Sequence, residues 1–263
     1  MHRPNRLVAA VVALGAAAAL SLTACSSDDS GEKAPASSDP AASELLTKAA
    51  DSTEALKGAH ITVTVNGDLP GMNATSVVAD VNTDPVSGSG EATLNMGGTE
   101  AKAPFVYLDD RLYANVQDKG WIDYGDGRSI YDASKVLDPE AGVPAILRSL
   151  EGAQEAGKED VDGVSATKVT GTVPASKVAG LTGATGKSAT EATEALDTTV
   201  WVTDDNQVAK VEVAPAAETT VTVTLSDWNK TVEVSKPDDV ETPKATPTTS
   251  APADQPTREK APN

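Results

Sequence analysis

Two periods of apolar spacing alternate along the chain and divide it into elements. Leu45, Leu46, Ala49, Ala50 and Leu56 fall at helical steps, which predicts an amphipathic helix with Ser43 as its cap and Gly58 as its stop. From Ile61 the period drops to two. Ile61, Val63 and Val65 alternate with Thr62 and Thr64 and run into the turn residues Asn66, Gly67 and Asp68. Val77, Ala79 and Val81 repeat the pattern, as do Ala92, Leu94 and Met96, which a strand would place on one face. After Gly97 and Gly98, Ala101, Ala103, Phe105 and Tyr107 share a face, and Leu112, Ala114 and Val116 follow a turn at Asp109 and Asp110. Adjacent runs of this kind predict an antiparallel meander.

Val136, Leu137, Val143, Ile146, Leu147 and Leu150 return to helical spacing behind Asp132, with interruptions at Pro139 and Pro144. Alternation resumes from Val164 to Val173, from Val200 to Val202, in Ala209 with Val211 and Val213, and in Val221 with Val223 and Leu225. The sum is around ten strands and two or three helices set amid them, an α+β fold whose large antiparallel sheet should curl. Its inward positions carry Ala79, Ala92, Ala101, Ala103, Ala114 and Ala209 among the valines, in a chain with a single Phe. Such small side chains leave two packings open: space behind the sheet, or a concavity filled as core by Ile146, Leu147 and Leu150.

Outside this patterned region the composition changes twice. His2, Arg3 and Arg6 precede an apolar run from Leu7 to Leu20, and Leu22, Thr23, Ala24 and Cys25 form a lipobox, so residues 1–24 read as a lipoprotein signal peptide. The run is shorter than the roughly 20 residues a membrane span needs. Cys25 is the chain's one cysteine, which rules out an intramolecular disulfide and leaves its sulfur for a lipid. Residues 25–42 are rich in Ser, Asp, Pro and Ala and read as a flexible tether; residues 237–263, acidic and rich in Pro and Thr, read as a disordered tail. Residues 43–236 remain for one folded domain.

Charge and residue chemistry narrow the function further. A formal net charge of −18 repels nucleic acid. His2 falls within the signal, so any histidine-based catalysis rests on His60, and no G-x-S-x-G accompanies it. The acid pairs Asp109 with Asp110, Glu159 with Asp160, and Asp204 with Asp205 read as solvated turn residues rather than as a glycosidase pair. One cysteine and one usable histidine do not make a zinc site. The loop from Gly180 to Ser188 imitates a phosphate loop, but Leu181 stands where the motif requires glycine. No catalytic residue, metal or cofactor is expected.

The run from Ala55 to Gly71, ALKGAHITVTVNGDLPG, resembles the mycobacterial lipoproteins LprG, LprA, LprF and LppX, and LprG most of all. The resemblance continues through Gly97 and Gly98, LYA at 112–114, Trp121 with Asp123 and Gly125, IYDASKVLDP at 130–139, TVWV at 199–202 and TLSDWNKTVEVSKP at 224–237. It covers nearly all of the patterned region. It implies a half-barrel of antiparallel strands with helices over its concave face, enclosing an apolar cavity for the acyl chains of lipids and lipoglycans. The candidate lining is then Val63, Val65, Val77, Ala79, Ala92, Leu94, Met96, Ala103, Phe105, Ile146, Leu147 and Leu150. The resemblance further implies a protein anchored to the outer face of the cytoplasmic membrane. Such a protein carries triacylated lipoglycans, glycolipids and triacylglycerol toward the envelope, beside a major facilitator transporter. A structural or adhesive lipoprotein without a ligand is the alternative. The chain departs from the family pattern in the loop from Gly180 to Ala195 and in its long acidic tail.

Overall fold

The computed structural model describes residues 37–67, 74–129, 132–182 and 194–242. The expected signal peptide, Cys25, the tether up to residue 36, most of the departing loop (183–193) and the tail from residue 243 lie outside the described residues.

Among the described residues, eleven strands form one antiparallel sheet. They are β1 Gly58–Asn66, β2 Ala74–Thr83, β3 Val86–Asn95, β4 Glu100–Leu108, β5 Arg111–Ala114, β6 Ile122–Asp126, β7 Glu151–Val161, β8 Val164–Pro174, β9 Ala195–Thr203, β10 Val208–Ala216 and β11 Thr219–Ser226. The spatial order is β6-β5-β4-β3-β2-β1-β11-β10-β9-β8-β7, so two meanders join where the first strand meets the last. The sheet is curved and does not close, which leaves β6 and β7 as its edges. Among the described residues, three helices, α1 Pro40–Glu54, α2 Val143–Arg148 and α3 Ala175–Thr182, cover one face. α1 packs on β7, β9 and β10, α3 on β8, and α2 on the other two helices. Among the described residues, a 3₁₀ turn, Ala133–Leu137, packs on β2 and β3.

The first helix begins at Pro40, before the expected Ser43 cap. Asp39 caps it instead: its side chain accepts from the Ala41 N–H at 3.0 Å, and proline suits the first turn, where its missing N–H is not needed. Ala42, Leu46, Ala49 and Ala50 form its buried stripe. Pro144 likewise sits in the first turn of α2, and Asp132 caps the 3₁₀ turn through the Ser134 N–H at 3.0 Å.

Two strands went unanticipated, and both are edges. β6 is short, and β7, with the sequence EGAQEAGKEDV, buries only Ala153, so neither needs apolar alternation. Glu159 and Asp160 therefore lie within a strand rather than at a turn. Asp109 with Asp110 and Asp204 with Asp205 do occupy the β4–β5 and β9–β10 connections. A register shift between Val208 and Lys210 turns Ala209 away from Val211 and Val213; it packs with Ala166 and Trp201 on the outer face. Val116 belongs to a 3₁₀ turn after β5.

Beyond β11 the chain crosses back over the sheet. Asn82 exchanges two 2.9 Å hydrogen bonds with the backbone of Val232, and Lys236 sits over the Tyr113 ring at 5.5 Å. The Glu241 N–H donates to Trp121 at 2.8 Å, and its carbonyl accepts from Asp123 at 2.9 Å. This strap holds the sheet as far as Glu241, past the tail boundary expected at Pro237. Hydrogen bonds to the strap's backbone groups and one cation–π contact do the holding, and neither leaves an apolar period in the sequence.

Candidate functional site

Directly paired residues in an antiparallel sheet project to the same side, so the registers define the face beneath the helices. One row runs Ala103, Ala92, Val77, Val63, Val223, Val211, Val200 and Val169 across eight strands. A neighbouring row joins Phe105, Gly90, Ala79, Ile61 and Leu225.

These rows differ from one side of the sheet to the other. On β8 to β11 and β1 the inward residues are chiefly valine, with Ile61 and Leu225, and nearly all are fully buried beneath α1, α2 and α3. On β3 they are Gly88, Gly90, Ala92 and Leu94, faced by Ala101 and Ala103 on β4. Gly90, Ala92 and Leu94 keep partial exposure, as does Ala74 at the start of β2. Gly90 is required by close approach, because a Cβ there would stand 2.1 Å from the Val78 carbonyl oxygen. Large groups return only toward the other end of β4, at Phe105 and Tyr107. There burial, followed by the charges of Asp132 and Asp110, pushes the Tyr107 phenol well above its ordinary pKa.

Of the expected lining residues, Val63, Val65, Val77, Ala79, Ala103 and Phe105 are buried on the inward face, and Ala92 and Leu94 face the same way with partial exposure. Ile146 and Leu147 of α2, and Leu150 just after it, are buried in the same core. Met96 is not brought to this face: β3 ends at Asn95, and Met96 lies in the β3–β4 hairpin tip, 51% exposed. The sequence reading missed Gly88 and Gly90, which extend the small-residue strip, and Val200, Val211 and Val223, which continue the long row. Glycines at alternate positions ahead of Ala92 were a usable signal for the first pair. For the valines no local signal existed, because the β1–β11 pairing that aligns them joins distant parts of the chain.

On the opposite face, His60 Nδ1 lies 2.8 Å from Asp80 Oδ1, in a cross-strand pair. Ser226 stands opposite His60 on β11, and among the described residues no hydroxyl is hydrogen-bonded to the imidazole, so no nucleophile–base pair forms. Trp201 lies under Lys210, 3.8 Å from Nζ to the ring centre, and donates to Glu159 at 2.8 Å. The Glu159 carboxyl is held below its ordinary pKa by hydrogen bonds from Lys168 and Trp201. Among the described residues no cluster of His, Cys, Asp or Glu could hold a metal.

A curved, open antiparallel sheet with helices over one face defines a scaffold whose distinctive feature is an apolar inward surface. Residues 41–234 match the LppX_LprAFG lipoprotein family, and the chain belongs to that family. It is 36% identical to lipoprotein LprA of Mycobacterium tuberculosis over 90% of this chain and 99% of that protein. It is 32% identical, over 90% and 99%, to a protein of the same organism named lipoarabinomannan carrier protein LprG. The crystal structure of LprF from Mycobacterium bovis superposes with a TM-score of 0.67 at 23% identity, covering 76% of this chain and 99% of that one. That of M. tuberculosis LppX gives 0.58 at 27%, covering 75% and 100%. The family places the protein among lipoproteins, and the LprG name ties one relative to carriage of a lipoglycan.

Proposed function

We propose that the protein is a lipid carrier, anchored through acylated Cys25 to the outer face of the cytoplasmic membrane. In this reading it holds acyl chains in an apolar cavity beside β2, β3 and β4. The carrying observation is the strip of Gly90, Ala92 and Leu94 with the adjacent Ala74, inward positions that keep partial exposure while Val77, Ala79, Ala101 and Ala103 around them are buried. Each methylene moved from water to such a surface contributes about 0.8 kcal/mol, so roughly ten supply about 8 kcal/mol without a polar contact. A site of this kind selects chain number and length more than headgroup. Its ligands are triacylated lipoglycans or glycolipids and triacylglycerol, and it works beside a major facilitator transporter in the same membrane.

The test is mass spectrometry of lipid co-purified with an anchorless Cys25→Ala protein. Stoichiometric acylated lipid is expected. A protein that emerges empty, and stays empty after incubation with triacylglycerol, would leave the structural or adhesive reading instead. The same variant tests the anchor: labelled fatty acid should be incorporated into the parent protein and not into Cys25→Ala.

A further inference from the structure

We propose that the end of the sheet bearing the β3–β4 hairpin tip docks on the anchoring membrane, with Met96 entering its apolar layer. The inference rests on the lipid anchor at Cys25 proposed above. Because neighbouring strands are antiparallel, the C-terminal ends of β1, β3, β5, β8 and β10 lie at one end of the sheet, with the N-terminal ends of β2, β4, β6, β7, β9 and β11. At this end the tether is fastened. The Asp39 N–H donates to Ala153 at 2.7 Å, Ser38 Oγ accepts from the Ala153 N–H at 3.1 Å, and Gln154 donates to the Ser37 carbonyl at 2.9 Å, all at the start of β7.

From Cys25 to Ser37 the chain can span at most about 40 Å, and a ten-residue strand such as β3 is itself about 33 Å long. Contact between the membrane and the opposite end of the sheet would use most of that reach. Contact at the tether's own end uses little of it.

The tip is suited to an apolar layer. Asn95, Met96, Gly97, Gly98 and Thr99 carry no charge in a chain of net charge −18. Gly97 and Gly98 adopt φ of 66° and 88°, and among the described residues nothing lies within 4 Å of where their Cβ atoms would be. The hairpin tips at the opposite end also expose apolar side chains, Val86 at 41% and Val164 at 38%. Those valines stand two residues from Asp84 and Asp162, whose charges oppose insertion, whereas the charge nearest Met96 along the chain is Glu100, four residues on at the start of β4. The accessible inward residues Ala74, Ala92 and Leu94 lie just behind the Met96 tip. A docked protein would therefore bring its small-residue strip to the bilayer surface, and an acyl chain could pass between them with little exposure to water.

Acylation consumes the sulfur of Cys25, the chain's sole cysteine, so a new cysteine in the acylated full chain is the only free thiol. Met96→Cys and Val86→Cys, each carrying an NBD fluorophore, are to be reconstituted in phosphatidylethanolamine–phosphatidylglycerol vesicles containing nitroxide-labelled lipid. Several-fold stronger quenching at position 96 than at 86 is expected, and Thr99→Cys repeats the measurement on the same tip. Equal quenching, or stronger quenching at 86, overturns the proposal. Lipid content is measured in parallel: a loaded protein without quenching at 96 sinks the docking alone. An empty protein with strong quenching sinks the carrier reading and leaves the docking.

Discussion

The two halves of the inward face are built from the same backbone and differ in side-chain volume. Beneath α1, α2 and α3, β8 to β11 and β1 present valines that exclude solvent almost completely. Across β2, β3 and β4 the strip of glycine and alanine is met, among the described residues, by a 3₁₀ turn, and Ala92 and Leu94 keep partial exposure. A close-packed half supplies stability, and in the carrier reading proposed above the half with undersized side chains is the one that takes the guest. On that proposal the sheet separates the two tasks by position rather than distributing both along every strand.

Substitutions should respond accordingly, and the largest effect belongs to the filled half. Ile61→Ala, at a fully buried site, should cost about 2–5 kcal/mol in denaturant unfolding. A loss below 1 kcal/mol would show that this half is loosely packed. Next, Val200→Trp should overpack the filled half by roughly 1–3 kcal/mol or more. Ala92→Trp should instead leave the unfolding midpoint near that of Thr93→Trp on the outer face, while co-purified lipid falls. Normal lipid loading in a stable Ala92→Trp protein would remove this position from the binding surface.

Smaller effects concern how the open half is held from behind. Deleting residues 238–263 removes Glu241 and its two backbone bonds to the β6 edge, a loss of roughly 1–2 kcal/mol. Deleting residues 243–263 spares those bonds, so the difference between the two unfolding midpoints measures the strap, and identical midpoints would mean it contributes nothing. The smallest effect is electrostatic. Burial works against ionisation of Asp123, but hydrogen bonds from Arg111, at 3.0 and 2.7 Å, and from the Gly125 N–H hold its carboxyl below the ordinary value. A lowered carboxyl pKa stabilises the fold fully above the ordinary value of about 3.9 and loses that contribution as pH falls through the lowered one. Below about pH 4 the wild-type midpoint should therefore fall more steeply than that of Asp123→Asn; parallel curves would assign the pair no role.

What could be read in advance follows the same division. Alternation in Ile61 to Val65, Val77 to Val81 and Ala101 to Tyr107 marked central strands, because both the period and the burial of one face are enforced there. The edge strands β6 and β7 escaped, since a strand with solvent along one side can be polar throughout. Ala209 was misassigned because one inserted residue reverses every side chain on its side of the bulge. Met96 fits the period of Ala92 and Leu94, yet the hairpin turns one residue before it. The inward strip was legible as a run of small residues, but its accessibility depends on which helix lies over which strand, and that is decided by tertiary packing.

The meeting of β1 and β11 at the centre of the sheet bears on the order of assembly. Strands β1 to β6 and β7 to β11 are each runs of sequence neighbours that pair side by side, through short connections except between β8 and β9, where α3 intervenes, and such local pairings form readily. The seam between them pairs Ile61 with Leu225 and Val63 with Val223, residues from nearly opposite ends of the domain. Until the last strand arrives, β1 presents a bare, valine-rich edge able to pair with another chain. Pulsed hydrogen exchange during refolding should accordingly find the amides that bridge β1 and β11 protected last, with aggregation confined to the interval before they are.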